Sequence, residues 1–288
     1  QKTAYEIYQC DWSSDVCSSD LALKRKIPMP QYQSVAGHPL YCYEWDNNGE
    51  ALVLLHGGLS QTSHWDEYVV PHFADNFHIY AYDRSGHGFS ADQEKSFHYR
   101  YQTAEAIAYL EEIVREPAHL IGYSDGGIIA LMVAIERPDL VKSIVTLGAN
   151  FRPDGVLPIP DFDGQISDED LAEYKQTSPD APETLPQKIR KMIEIQRSEP
   201  NISHAELSNI QCPVLVMAGD DDMIKHEHTV ELYENIPLGQ LAIIPGTSHK
   251  FIKEKTALTQ LLIQEFLEDL SYPHTMIPMR RANPQTAQ

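Results

Sequence analysis

Gly122-Tyr123-Ser124-Asp125-Gly126 sets a serine between two glycines, directly after an apolar run and at the head of a helical one. That context suits a nucleophile. A sharp strand-to-helix turn exposes the hydroxyl, and glycines on either side let the two backbones pass closely. The helix amino end also favours negative charge developing beside the serine. A serine hydroxyl is a weak nucleophile near neutral pH, so it needs a base, and the base needs an orienting acid. On this scaffold they follow in the order serine, acid, histidine. Asp220-Asp221-Asp222 follows the apolar run 214–219, and His249 ends a turn that begins at Pro245. These residues suit acyl transfer through a covalent serine intermediate, but their spacing alone leaves three adjacent aspartates open as the acid.

The elements that must hold these residues alternate between strands and helices. Gly37–Trp45 and Ala51–Gly58 read as short strands joined by the turn-forming Asp46, Asn47, Asn48 and Gly49, a hairpin feeding a buried strand. A helix over Trp65–Phe73, a strand over Phe77–Asp83 and a glycine-punctuated loop over Arg84–Ser90 follow. Ala104, Ile107, Leu110, Ile113 and Val114 form one apolar stripe at helical spacing within Tyr101–Glu116. Strand, helix and strand then run to Asn150, with Pro138 near the helix end. Such alternation predicts an α/β fold with a mostly parallel sheet and helices on both faces. It breaks over 151–209, where seven prolines interrupt short helical stretches, and this segment reads as a cap inserted over the sheet's carboxyl edge. Nine carboxylates stand there between Asp154 and Glu183 against one base, Lys175. After the cap come a strand ending at the aspartates, a helix over Val230–Ile236, a strand over Gln240–Gly246 and an amphipathic helix over Ala257–Leu267. The expected division is a core of 22–150 and 210–270, the cap, and a flexible tail over 271–288.

Composition narrows the partners. A net charge of -20 over 288 residues repels phosphate backbones and anionic lipid surfaces, so neither nucleic acid nor an acidic membrane is expected to bind. No apolar run approaches the length that spans a bilayer. Four cysteines without C-x-x-C spacing indicate neither a disulfide framework nor a metal site. Of thirteen histidines, His226 and His228 resemble a metal pair only superficially, for want of a suitably spaced third ligand. No metal or cofactor is expected, and the partner is a small-molecule substrate. Asp11–Leu21 resembles a translated sequencing-library adapter, as does Gln1–Ile7, so 1–21 is set aside from fold reasoning. Cytoplasm is the default compartment.

From Tyr32 to about Asp269 the motifs resemble the α/β-hydrolase superfamily. Its G-x-x-D and G-x-x-H patterns select Asp222 from Gly219 and His249 from Gly246, which makes Ser124, Asp222 and His249 the implied triad. Its H-G-x turn implies Gly58 as one backbone donor to the oxyanion, with the N–H of Asp125, the residue after the nucleophile, as the other. Asp83-Arg84-Ser85-Gly86-His87-Gly88 resembles a loop whose usual role is support behind the site. Gly122–Ile128 and Gly148–Asn150 are similar to the biphenyl-hydrolase-like branch. The resemblance implies serine-dependent hydrolysis of an ester or lactone without a cofactor. A serine at the elbow argues against dehalogenases and epoxide hydrolases, which use a carboxylate there. The acidic cap favours a bulky amine-bearing substrate, such as an amino-acid ester or an aminosugar macrolide lactone. A solvated acidic face is the competing view of those carboxylates. A carbon–carbon bond hydrolase and a non-catalytic small-molecule receptor on the same fold remain as alternatives.

Overall fold

Ala51–Leu55 is buried at every position, and its side chains divide by parity. Leu52 and Leu54 enter one hydrophobic cluster, whereas Val53 and Leu55 enter another. A strand points successive side chains to opposite faces, so a strand feeding two cores must be covered on both. The computed structural model, which describes residues 30–271, 273 and 275–277, shows the sheet this requires. Its strands are β1 (Gln31–Val35), β2 (His38–Trp45), β3 (Glu50–Leu55), β4 (Phe77–Asp83), β5 (Ala118–Tyr123), β6 (Val141–Leu147), β7 (Val214–Asp221) and β8 (Gly239–Ser248). They lie in the order β1-β2-β4-β3-β5-β6-β7-β8, with β1 and β2 antiparallel and β4 through β8 mutually parallel. This is the α/β-hydrolase arrangement expected of the motifs. The expectations for 1–21 and for nearly all of the tail beyond Ser271 lie outside the described residues.

One pairing differs from the expectation. The turn at Asp46–Gly49 does not close a hairpin. β2 pairs instead with β1, through Ala36-Gly37, and with β4, while β3 pairs with β4 and β5. Gly37 at φ +82 supplies the left-handed turn, and the apolar two-sided β3 belongs in the sheet's interior rather than beside an edge strand.

The helices are α1 (Trp65–Tyr68), α2 (Val70–Phe73), α3 (Tyr99–Tyr109), α4 (Asp125–Glu136), α5 (Asp168–Thr177), α6 (Leu185–Ser198), α7 (His204–Ser208), α8 (His226–Glu234), α9 (Phe251–Glu254) and α10 (Thr256–Glu268). The single helix expected over 65–73 is thus two short ones, and α3 ends in a wider turn over Leu110–Val114. Between β6 and β7, α5 and α6 form a layer with its own core. Leu185, Ile189 and Ile193 recur every fourth residue along α6 and pack with Leu59, Leu171 and Tyr174. Ser167 caps α5 by accepting the Asp170 N–H at 3.0 Å.

Candidate active site

Ser124 stands where β5 turns into α4, at φ 51 and ψ -117, a conformation that costs free energy for any residue with a side chain. Its N–H is held by the Leu147 carbonyl at 2.8 Å. The flanking glycines are required by contact. A side chain on Gly122 would collide with the Gly126 backbone, and one on Gly126 with the Leu55 carbonyl.

The structure separates the three aspartates by environment. Asp220 and Asp221 are exposed, and Asp220 accepts the Thr247 N–H at 2.9 Å. Asp222 is buried and accepts N–H groups from Ile224 at 3.0 Å and Gly219 at 3.3 Å. Its Oδ1 lies 2.7 Å from His249 Nδ1. Burial alone would push the Asp222 carboxyl up, yet the His249 contact and the two amides outweigh it, and its pKa is lowered from 3.8. An ionised carboxylate can only accept, so His249 Nδ1 carries the proton and Nε2 holds the lone pair a base needs. Burial pushes the His249 imidazole down, but the Asp222 charge and hydrogen bond prevail and raise its pKa above 6.5. Tyr123, beside the serine, packs its ring 5.2 Å from that of His249 and donates its hydroxyl to the His249 carbonyl at 3.2 Å. The histidine turn is thereby tied to the elbow.

Two residues that the sequence offered only as parts of longer motifs, without roles of their own, complete this frame. Gly148 follows β6 at φ +70 beneath the imidazole, and a Cβ there would lie 2.7 Å from His249 Cε1. Arg84, fully buried, donates through one guanidinium nitrogen to the carbonyls of His56 at 2.9 Å and Gly57 at 2.7 Å, and through the other to Gln102. It grips the turn that carries Gly58. His56 accepts the Arg84 N–H at its Nε2 (3.1 Å), so its Nδ1 is the donor to Gly57 O at 2.8 Å. The likeness of Asp83–Gly88 to a supporting loop placed Arg84 behind the site without saying which backbone groups it would hold.

Gly58 and Asp125 come close together. A Cβ on Gly58 would be 2.5 Å from Asp125 Oδ2 and 3.1 Å from Met192 Cε on α6. The Asp125 carboxylate accepts from Tyr99 Oη at 2.9 Å and Gln196 Nε2 at 3.3 Å. Ser124 and Asp125 line a cleft of about 280 Å³ closed by Tyr99, Asn150, Gln196 and Glu199. His87 is 3% exposed, packed between His56 and Phe97. His228 stacks on Phe151 at 4.1 Å and accepts its N–H, and burial lowers its pKa to about 4, so it is a packing residue. Among the described residues no cluster of three or more metal-ligating side chains occurs, and no helix is long and apolar enough to cross a membrane.

Residues 52–253 match the profile of the alpha/beta hydrolase family. The chain is 24% identical over 281 positions to serine hydrolase BPHL of Mus musculus, covering 85% of this chain and 94% of that relative, which bears out the likeness to the biphenyl-hydrolase-like branch. It is 32% identical over 110 residues to pyrrolizixenacetamide deacetylase of Xenorhabdus hominickii, a match spanning 38% of this chain and 40% of that protein. Among solved structures, a serine hydrolase involved in carbazole degradation, the CarC enzyme, superposes with a TM-score of 0.69 at 18% identity, covering 84% of this chain and 99% of that one.

Proposed function

The chain belongs to the alpha/beta hydrolase family, and we propose that it hydrolyses a carboxylic ester or lactone through an acyl enzyme on Ser124. The observation that carries this reading is the 2.7 Å Asp222–His249 pair, locked to the elbow by Tyr123. His249 Nε2 takes the Ser124 proton as Oγ bonds to the substrate carbonyl carbon. The N–H groups of Gly58 and Asp125 receive the oxyanion, and the alcohol leaves with the proton from His249. A water then gives a proton to His249, its oxygen bonds to the acyl carbon, and Ser124 departs with that proton. Arg84 steadies the donor turn, since Gly57 O and Gly58 N–H belong to one peptide group.

The finer reading is a bulky substrate bearing an amine. It is supported by the chain's net charge of -20 and by two cap carboxylates, Asp170 and Glu173, that are half-buried and line a cleft.

Covalent labelling by a fluorophosphonate, with ester turnover measured in parallel, tests the acyl enzyme. Labelling that disappears in Ser124→Ala, with a rate loss of about 10^4-fold or more, is expected. An unlabelled but folded wild type, or turnover that survives Ser124→Ala, would overturn it, the former in favour of a receptor.

A further inference from the structure

Lys188 stands on the buried face of α6, in line with Leu185, Met192 and Ile195, where helical spacing calls for another aliphatic side chain. Its side chain is 2% exposed, and burying an ammonium is costly unless it is paired and hydrogen-bonded. Two layers of the protein meet that need. Asp180, ahead of α6 in the cap, lies 2.7 Å from Lys188 Nζ, and the core contributes the Gly86 carbonyl, which accepts from Nζ at 3.0 Å. The nine cap carboxylates are thus unequal: six are exposed, Asp170 and Glu173 line a cleft, and Asp180 fixes a buried cation. Aliphatic groups of similar volume commonly stabilise a core as well as a buried ion pair does. The lysine's particular contribution is a directed bond from the cap to one carbonyl of the core.

That carbonyl belongs to the turn that carries Arg84. Arg84 O accepts the His87 N–H at 2.9 Å, which closes a turn with Ser85 and Gly86 at its centre. From this turn two contacts run to the strand end that precedes Gly58. The Arg84 guanidinium holds His56 O and Gly57 O, and the His87 ring packs 5.2 Å from that of His56. The far end of the loop is tied to the same cap carboxylate. Asp180 Oδ2 accepts the Asp92 N–H at 2.9 Å, and Ala91 O accepts the Gly86 N–H at 3.0 Å.

We propose that Lys188 is a positioning residue for the Gly58 N–H, acting from the cap through the Arg84 turn. It sets Gly86, the turn sets the Arg84 guanidinium, and the guanidinium sets the Gly57–Gly58 peptide group by holding its oxygen. The proposal rests on the acyl-enzyme reading for the task of that N–H. Methionine at 188 keeps the apolar stem that lines the neighbouring cleft and removes the bond to Gly86. Its effect therefore falls on the transition state, where the oxyanion exists, and not on ground-state binding. A donor lost outright costs ~10^2–10^3 in kcat, and one held less firmly should cost about tenfold.

A mutant cycle on an aryl ester tests this, with Asp180→Asn joined to Lys188→Met so that no buried charge is left unpaired. The pair of changes should lower kcat about tenfold with KM within about twofold. A trifluoromethyl ketone, which forms an oxyanion when Ser124 Oγ adds to its carbonyl, should inhibit more weakly by the same factor. In an Arg84→Lys background the same pair should cost about threefold or less, because the chain of contacts is already broken. Lys191→Met removes the neighbouring cap–core ion pair to Asp92 at 2.6 Å, and its effect should multiply independently with Arg84→Lys. Unchanged kcat, a loss confined to KM, or losses that multiply in full between Lys188 and Arg84 would overturn the proposal. Equal coupling from Lys191→Met would overturn the assignment to Lys188. Should the paired variant not fold, Asp180→Asn alone, at a side chain 20% exposed, keeps an oxygen for the Asp92 N–H and loosens the same lysine. It should lower kcat by about threefold, and no change would count against the proposal in the same way. Turnover that persists in Ser124→Ala marks failure of the acyl-enzyme reading, separately from the cycle.

Discussion

Replacing Gly148 by alanine introduces one methyl group beneath the His249 imidazole, and the outcome follows from two distances. The new Cβ would sit 2.7 Å from His249 Cε1 and 2.8 Å from Nδ1, whereas ordinary contact begins at 3.4 Å, so the ring must retreat by about 0.7 Å. His249 Nδ1 is bonded to Asp222 Oδ1 at 2.7 Å, and Asp222 Oδ2 would itself lie 3.5 Å from the new Cβ, so a shift of the ring strains that bond and carries Nε2 with it. A misplacement of ~1 Å at a reacting group costs about 10^2-fold, and a loss of that order in kcat/KM is expected. The φ of +70 adds a separate cost of ~1–2 kcal/mol, about 2–8 °C in Tm for a domain of this size. Gly164→Ala separates the two effects. Gly164 has φ +88 with nothing within 4 Å of an added Cβ, so it carries the strain without the collision. The assay is kcat/KM on an aryl ester beside a thermal melt for both variants. Gly148→Ala should lose activity and stability, Gly164→Ala stability alone. If Gly148→Ala stays within about threefold of the wild-type rate while melting lower, the placement of His249 over Gly148 is wrong.

The aspartates should part company in the same assay, with Asp222→Asn losing about 10^4-fold in kcat through the wrong histidine tautomer. Asp220→Asn should lose far less, since it forfeits a surface contact to Thr247 N–H, and equal losses would contradict the buried assignment. Only neutral His249 accepts a proton, so kcat/KM should fall as pH drops through a midpoint above 6.5, its pKa being raised by Asp222. A profile flat down to about pH 5 would remove His249 as the base. Arg84→Lys keeps the charge but cannot hold Gln102 with one nitrogen while another holds His56 O and Gly57 O. It should lower kcat by about 10-fold or more with little change in KM, because the oxyanion forms only in the transition state, and a pure KM effect would refute that placement.

The elbow and the histidine turn were legible in the sequence because their geometry is local: glycine spacing, a strand before and a helix after. The sheet's pairing was not. β2 chooses β4, more than thirty residues on, over its neighbour β3, and no turn signal at Asp46–Gly49 reveals a preference set by which strand must be covered on both faces. Asp222 was picked from Asp220 and Asp221 by the G-x-x-D likeness counted from Gly219, whereas the burial that sets it apart physically is a tertiary property. Arg84 and Gly148 act through contacts with residues dozens or a hundred positions away, and the acidity of the cap was evident while the sorting of its carboxylates was not.

The contact of Met192 with the Gly58 turn, with Leu59 at φ 49 rooted in the cap's own hydrophobic cluster, bears on how such proteins diverge and can be redesigned. Here the cap is not an interchangeable module. Grafting another cap to change specificity would also replace the surface on which the Gly58 turn rests. Exchanges that keep the residue at 192 and a seat for Leu59 should preserve turnover on any substrate, whereas those that change them should impair it on all.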